Sequence, residues 1–335
     1  MSAIETDGLT KEFDEITAVD GLDLQVEDGE IYGFLGPNGA GKSTTINMLL
    51  DFVRPTAGSA AVLGHDPRED AAKIRRKTGI LPEGGQLYER LTAREHLRWI
   101  GQTKNADVDA ESLLDRVGLA SEDADRPVGG FSKGMQQRLA FGMALVGEPE
   151  LLLLDEPSSG LDPTGMQEMR EIIREEVDAG RTVFFSSHIL GEVEAVCDRI
   201  GIMNQGTIVA EGTLDELRDH LDAGASIRCT VDTVPADIDF DSIPAVEGVT
   251  TEDSQIEVTL SDPRAKVDVV RQLDEQSEVL DILSEDTSLE QLFNTYTANG
   301  LGGSDSTIDT GSGSTADAAN ESDTDSAPDP TGAKR

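Results

Sequence analysis

Residues 36–44 read GPNGAGKST, set between an apolar strand pattern (Ile31, Phe34, Leu35) and a helix expected to begin near Lys42. Strand, glycine-rich loop and helix in that order constrain this chain more than any other segment, because together they build a phosphate cradle. Gly36, Gly39 and Gly41 permit a tight turn whose N–H groups converge on an anion at the helix N-terminus. Lys42 brings a positive charge to the β- and γ-phosphates, and Ser43 offers a hydroxyl to Mg²⁺. Pro37, Asn38, Ala40 and Thr44 complete the nucleotide-binding stretch.

The rest of the chain reads as an α/β domain with additions. Residues 1–35 alternate short apolar runs with Asp-Gly turns at 20–21 and 28–29, which predicts antiparallel strands feeding the first core strand. LLLLD at 151–155 and TVFFSS at 182–187 are continuous apolar runs, the pattern of buried parallel strands joined by helical crossovers. Between them and the loop, Leu91, Leu97 and Ile100, then Leu113, Leu114 and Val117, keep helical spacing and predict an inserted helical lobe over about 84–145. After 212 the pattern changes. Ile227/Cys229/Val231 and Ile256/Val258/Leu260 alternate, a helix is expected from Pro263, and Leu289, Leu292, Phe293 and Tyr296 have helical spacing. The expected domains are therefore 1–212, a small α+β domain over 213–298, and a Gly/Ser/Thr/Asp-rich tail over 299–335 that has too little apolar surface to fold.

Charge adds a second constraint. The 335 residues hold 66 acidic and 27 basic side chains, a net charge of −39. The tail from Gly300 supplies only seven of those acids, so the folded part is itself acidic. Such self-repulsion is screened at molar salt, where the Debye length is about 3 Å, and a halophilic source is the natural reading. An acidic surface argues against a nucleic-acid partner. Cys197 and Cys229 lie in no metal-binding or redox pattern and read as reduced core residues. With no apolar run of 18 residues and no signal-peptide pattern, the chain is expected in the cytoplasm, any membrane role belonging to a separate subunit.

A nucleotide-hydrolysing site also needs a metal anchor and a base. Asp155 at the end of LLLLD is the expected Mg²⁺ ligand with Ser43, and Glu156 in the following turn the expected general base for an attacking water. His188 follows the TVFFSS strand at the sheet edge where ligands bind in open α/β folds, and is read as a γ-phosphate contact. Residues 159–162, SGLD, follow Glu156 closely enough for Asp162 to set the geometry of the catalytic acid or of a dimer partner, or to form a plain turn. FSKGMQQR at 131–138 opens a helix whose start holds Ser132 and Gly134, where free N–H groups and the helix dipole favour an anion.

In this order and spacing, the phosphate loop, FSKGMQQR, LLLLDEP, SGLD and SSH resemble the ATP-binding cassette (ABC) family over residues 1 to about 215. The resemblance implies a P-loop NTPase cassette with an antiparallel β subdomain and a helical lobe, using ATP and Mg²⁺. It also implies a head-to-tail dimer in which Ser132 and Gly134 reach the γ-phosphate held by the partner, while Phe13 stacks on adenine. Two departures stand out. Glu83, in GILPEGG, replaces the glutamine usual at that point, keeping a possible metal ligand but losing an amide donor; Lys133 and Met135 replace the usual glycine and glutamine. These changes, with SLEQLF at 288–293, resemble ATPases serving type 2 exporters of drugs, sodium or antibiotics, which work through a transmembrane permease subunit. The alternative is a soluble ABC ATPase acting on ribosomes or DNA. A single cassette and fewer than 100 residues between loop and signature helix count against it.

Overall fold

The computed structural model describes residues 2–285 except 86, 220–224, 236, 237, 241 and 253. The helical spacing read at 289–296, the SLEQLF segment and the tail lie outside the described residues.

Strands β1 (Ser2–Phe13) and β2 (Ile16–Glu27) form an antiparallel hairpin, followed by β3 (Ile31–Leu35), α1 (Lys42–Leu49) and β4 (Ala57–Val62). β4 returns to pair with β1, making a three-stranded antiparallel sheet. That third strand escapes sequence reading because AGSAAV carries too little apolar alternation to announce itself. Next come α2 (Pro67–Lys77), β5 (Thr78–Leu81), α3 (Ala93–Lys104), α4 (Ala110–Arg116) and α5 (Lys133–Leu145). The chain then runs through β6 (Leu151–Asp155), α6 (Pro163–Asp178), β7 (Thr182–Ser187), α7 (Leu190–Glu194), β8 (Arg199–Asn204) and β9 (Thr207–Gly212).

The central sheet has the order β5-β6-β7-β3-β8-β9, parallel except for the β8–β9 hairpin at one edge. Every residue of β3, β6 and β7 is buried, as the unbroken apolar runs require of strands covered on both faces. Alternate residues serve two cores. Leu152, Leu154, Leu35 and Phe185 pack toward the helical side, whereas Leu151, Leu153, Phe34 and Phe184 pack with the antiparallel sheet. The register pairs Leu35 with Ser187 and Asp155 with Ser186, so all three central strands end at one edge. There the chain delivers its phosphate loop, its adjacent acids and its histidine.

Local signals fix the helices that flank this edge. Thr92 and Glu95 form a reciprocal capping box at the start of α3, Ser132 caps α5, and Asp162 caps α6 with Pro163 in its first turn. Beyond α8 (Leu214–Asp219), β10 (Ala225–Val231), β11 (Val246–Glu252), β12 (Gln255–Leu260) and β13 (Val279–Glu285) form a separate antiparallel sheet in the order β11-β12-β10-β13. Its core of Ile227, Cys229, Ile256 and Val258 is closed by Val269 and Leu273 of α9 (Lys266–Asp274). The helix expected from Pro263 opens with one 3₁₀ turn before the α-helix proper. Cys197 and Cys229 are both buried and free. Among the described residues no helix is long and apolar enough to cross a membrane.

Candidate functional site

The loop after β3 is held from several sides. Gly36 N–H donates to Ser187 O at 3.2 Å, Ala40 N–H to Pro37 O at 3.1 Å, and Gly206 N–H to Ala40 O at 2.9 Å. Gly39 and Gly41 have φ of +83° and +112°, the left-handed region open to glycine. Gly41 is also walled in, since a Cβ there would lie 2.4 Å from the Ala18 carbonyl oxygen. Among the described residues the N–H groups of Gly39, Gly41, Lys42, Ser43 and Thr44 join no backbone–backbone hydrogen bond. A helix start with several uncommitted donors and a positive dipole end suits a phosphate chain.

Lys42 is buried and donates from Nζ to Gly36 O at 2.7 Å. Its ammonium also faces Glu156 Oε1 at 3.5 Å, an ion pair whose geometry falls short of a hydrogen bond and leaves that oxygen otherwise unpartnered. Glu156 has φ of +49°, uncommon for a residue with a side chain, so the backbone leaves the strand and enters the turn at that residue. His188 Nδ1–H donates to Glu156 Oε2 at 2.8 Å. Burial raises the Glu156 carboxyl above the ordinary carboxylate range, opposed by the His188 hydrogen bond and then by the Lys42 charge. Asp155 accepts a hydrogen bond from the Ser186 hydroxyl, which also receives Glu156 N–H at 3.3 Å. Ser43 Oγ lies 3.5 Å from Glu83 Oε2, at the outer limit of a hydrogen bond.

Ser43 Oγ and Glu83 Oε2 face each other at the phosphate loop, and both are oxygen donors of the kind a divalent cation takes. Ser43, Asp155 and Glu83 offer hard oxygen donors, and among the described residues no group of three or more His, Cys, Asp or Glu stands ready to hold a metal alone. Mg²⁺ is bound in that way, through one or two carboxylates with phosphate and water completing its shell.

Among the described residues the remaining candidates, Phe13, Ser132, Gly134 and Asp162, share no hydrogen bond or ion pair with this cluster. Phe13 ends β1 and is 44% exposed, with Lys11 Nζ 4.7 Å above its ring, so it is a surface aromatic and not core. Ser132 Oγ accepts Met135 N–H at 3.2 Å as the cap of α5, and Asp162 Oδ1 accepts Gly165 N–H at 3.0 Å as the cap of α6. Gly134 packs against the SGLD turn, where a Cβ would meet Gly160 O at 3.1 Å. The structure adds residues that sequence reading passed over. Gln137 on α5 donates from Nε2 to Pro157 O at 2.7 Å and to Glu156 O at 3.3 Å, tying the helical lobe to the acid-bearing turn. The only signal for Gln137 in the sequence is its place in FSKGMQQR, late in a segment whose start carries the helix cap.

Comparison with known proteins places the chain among ATP-binding cassettes. The ABC transporter family matches residues 19–159. A daunorubicin/doxorubicin resistance ATP-binding protein of Streptomyces peucetius is 42% identical over 224 residues, covering 65% of this chain and 68% of the relative. A bacitracin transport ATP-binding protein of Bacillus licheniformis is 43% identical over 220 residues, 64% of this chain and 71% of the relative. A linearmycin resistance ATP-binding protein of Bacillus subtilis is 33% identical over 309 residues, spanning 89% of this chain and 99% of the relative. Among solved structures, an ATP-binding subunit of an ABC transporter superposes with a TM-score of 0.61 at 32% identity over 65% of this chain and 93% of that one. A dimeric ATP-binding cassette in a post-hydrolysis state, bound to ADP and Pi, superposes with a TM-score of 0.57 at 25% identity, covering 63% and 98%.

Proposed function

We propose a function for this chain from its family: it belongs to the ATP-binding subunits of ABC transporters, and it hydrolyses ATP. In our reading it powers an exporter through a separate transmembrane subunit, on the cytoplasmic face of the membrane. The observation that carries the reading is Glu156, buried between Lys42 at 3.5 Å and His188 at 2.8 Å beside the phosphate loop. The Lys42 ammonium and the uncommitted N–H groups of Gly39, Gly41, Lys42, Ser43 and Thr44 bind the phosphates. Glu156 takes the proton of the attacking water, and His188 holds that carboxylate in place and touches the γ-phosphate. Mg²⁺, held by Ser43 and Asp155 with Glu83 beside them, would neutralise charge on the phosphate oxygens. Phe13, exposed at the end of β1, is available to stack on adenine.

Ser132, Gly134 and Asp162 act in a dimer, homo- or heteromeric, in which the start of α5 closes over nucleotide held by the other subunit. The similarity to dimeric cassettes supports this. The names of relatives in drug resistance and bacitracin transport support export as the task. Tyr88 and Trp99 are exposed and meet edge to face with centroids 5.4 Å apart, which favours this part of the helical lobe as the seat of the membrane partner.

The raised Glu156 carboxyl makes a pH prediction. As a base it must be ionised, so kcat/KM, which reports the free enzyme, should fall on acidification at a pH above the ordinary carboxylate range. His188 lowers that pKa through its hydrogen bond; in His188→Ala the acid limb should therefore move to higher pH. For stability the sign is opposite. Burial penalises the ionised form, so this group's contribution is full at low pH and is lost as pH rises through the raised value. A pH–rate series on both proteins checks the shift, and an unmoved limb would count against Glu156 as the base.

We also read the chain as halophilic, on its net charge of −39. Fold and ATPase activity should need roughly molar KCl, which shortens the screening length from about 10 Å at 0.1 M to about 3 Å. Circular dichroism and ATPase rates across a salt series test this. A native signal with full activity at low salt would remove the reading.

A further inference from the structure

The turns that carry Glu156 and His188 are joined by a residue that the reaction itself does not use. Glu192 on α7 is buried, and its oxygens accept from two serine hydroxyls, Ser158 Oγ at 2.5 Å to Oε1 and Ser187 Oγ at 2.7 Å to Oε2. Among the described residues those are the hydrogen bonds of its carboxyl group. A buried carboxyl group satisfied only by hydroxyls is costly compared with an apolar side chain of similar size. Its partners sit at telling positions. Ser158 lies two residues after Glu156, and Ser187 immediately precedes His188. Ser187 Oγ also accepts Ile189 N–H at 3.0 Å, so one hydroxyl fixes the backbone on both sides of His188. On the other turn, Ser159 N–H donates to Glu156 O at 3.1 Å and Leu161 N–H to Ser158 O at 3.0 Å, so Ser158 belongs to the same tight structure as Glu156.

We propose that Glu192 is a positioning residue for ATP hydrolysis, a brace that ties the Glu156 turn to the His188 turn and fixes the contact between those two side chains. Among the described residues it makes no hydrogen bond or ion pair with the phosphate loop or Lys42. The brace rests on the roles proposed above for Glu156 and His188. It goes beyond them in naming what sets their separation.

A double-mutant cycle on the full chain, with rates measured across an Mg·ATP titration at high salt, tests the brace. Glu192→Ala should lower kcat by about 10- to 100-fold, the scale of a displaced catalytic group, while KM for ATP changes by less than about threefold. Glu192→Gln keeps one acceptor oxygen and should retain more activity than Glu192→Ala. In a His188→Ala background the further loss from Glu192→Ala should shrink to less than about threefold, because the contact it positions is gone. An unchanged kcat in Glu192→Ala, or the same fold loss in both backgrounds, overturns the brace. Should Glu192→Ala fail to fold by circular dichroism, Glu192→Gln and Ser158→Ala carry the same cycle. His188→Ala alone separates the two readings. If it turns over ATP at the wild-type rate, the site reading falls and the brace with it; if it is slow while Glu192→Ala acts additively, only the brace falls.

Discussion

Glu156→Gln should bind Mg·ATP almost as well as the wild type and hydrolyse it about 10²–10⁴ times more slowly, the usual cost of removing a positioned base. Glutamine has the same shape and one remaining oxygen to accept from His188, so the 2.8 Å contact can survive. What it cannot do is accept the proton of water. Ser43 and Asp155 are untouched by the change, and Lys42 loses its ion-pair partner but keeps its bond to Gly36 O at 2.7 Å, so the phosphate loop and the expected metal donors persist. If ATP is sandwiched between two cassettes, slow turnover should trap the dimer, and size-exclusion chromatography at high salt with Mg·ATP should show it. Wild-type turnover by the variant would remove Glu156 from its role. A variant that stays monomeric with saturating Mg·ATP would remove the sandwich mechanism.

Lys42→Ala should fail at the earlier step. The ammonium is buried, bonded to Gly36 O at 2.7 Å and paired with Glu156 at 3.5 Å, so its loss removes the phosphate-binding charge and leaves a buried acid without its cation. Truncating one member of a buried charged pair across a binding interface costs on the order of 2–5 kcal/mol, so loss of the ammonium–phosphate pair should lower ATP affinity by at least about thirtyfold. Without that cation the Glu156 carboxyl should rise further, since the Lys42 charge is one of the influences holding it down. Nucleotide titration by calorimetry separates the two variants. Glu156→Gln binds without turnover, whereas Lys42→Ala does not bind at working ATP concentrations. Equal affinity of Lys42→Ala and the wild type would contradict the phosphate role.

The parts of this arrangement that were legible in the sequence are those whose partners are close in the chain or whose environment leaves a run of like residues. LLLLD and TVFFSS announce buried strands because both of their faces are covered, and the phosphate loop announces itself because its glycines answer a backbone requirement. Caps are local as well, and so Ser132 at the start of α5 could be read directly. Glu192 could not. It joins Ser187, five residues before it, to Ser158, 34 residues away, and nothing along the chain signals the distant partner; a glutamate shortly after a histidine looks like part of a solvated face. The same holds for Gln137, whose carbonyl partners lie 19 and 20 residues downstream. Phe13 reads as core or as a ligand contact from sequence because an aromatic in a strand serves either, and its exposure removes the core reading. The returning strand β4 depends on pairing with β1 across the fold, which spacing along one segment does not encode.

The surroundings of Gly41 bear on how nucleotide is received. Ala18 O, 2.4 Å from where a Cβ would stand, belongs to β2, and the Met203 side chain of β8 closes in at 2.7 Å; a Cβ on Gly36 would meet Met203 O at 2.5 Å. The loop is thus cast against the backbones of two strands from different sheets, and it cannot slacken without moving both. Its donors are preorganised before any phosphate arrives, so little of the ordering cost falls on the binding step, and affinity is preserved for the contacts themselves. The same casting leaves no room for a methyl group at either glycine. Nucleotide enters a mould that is already set, and the motion that follows has to come from elements hung around it.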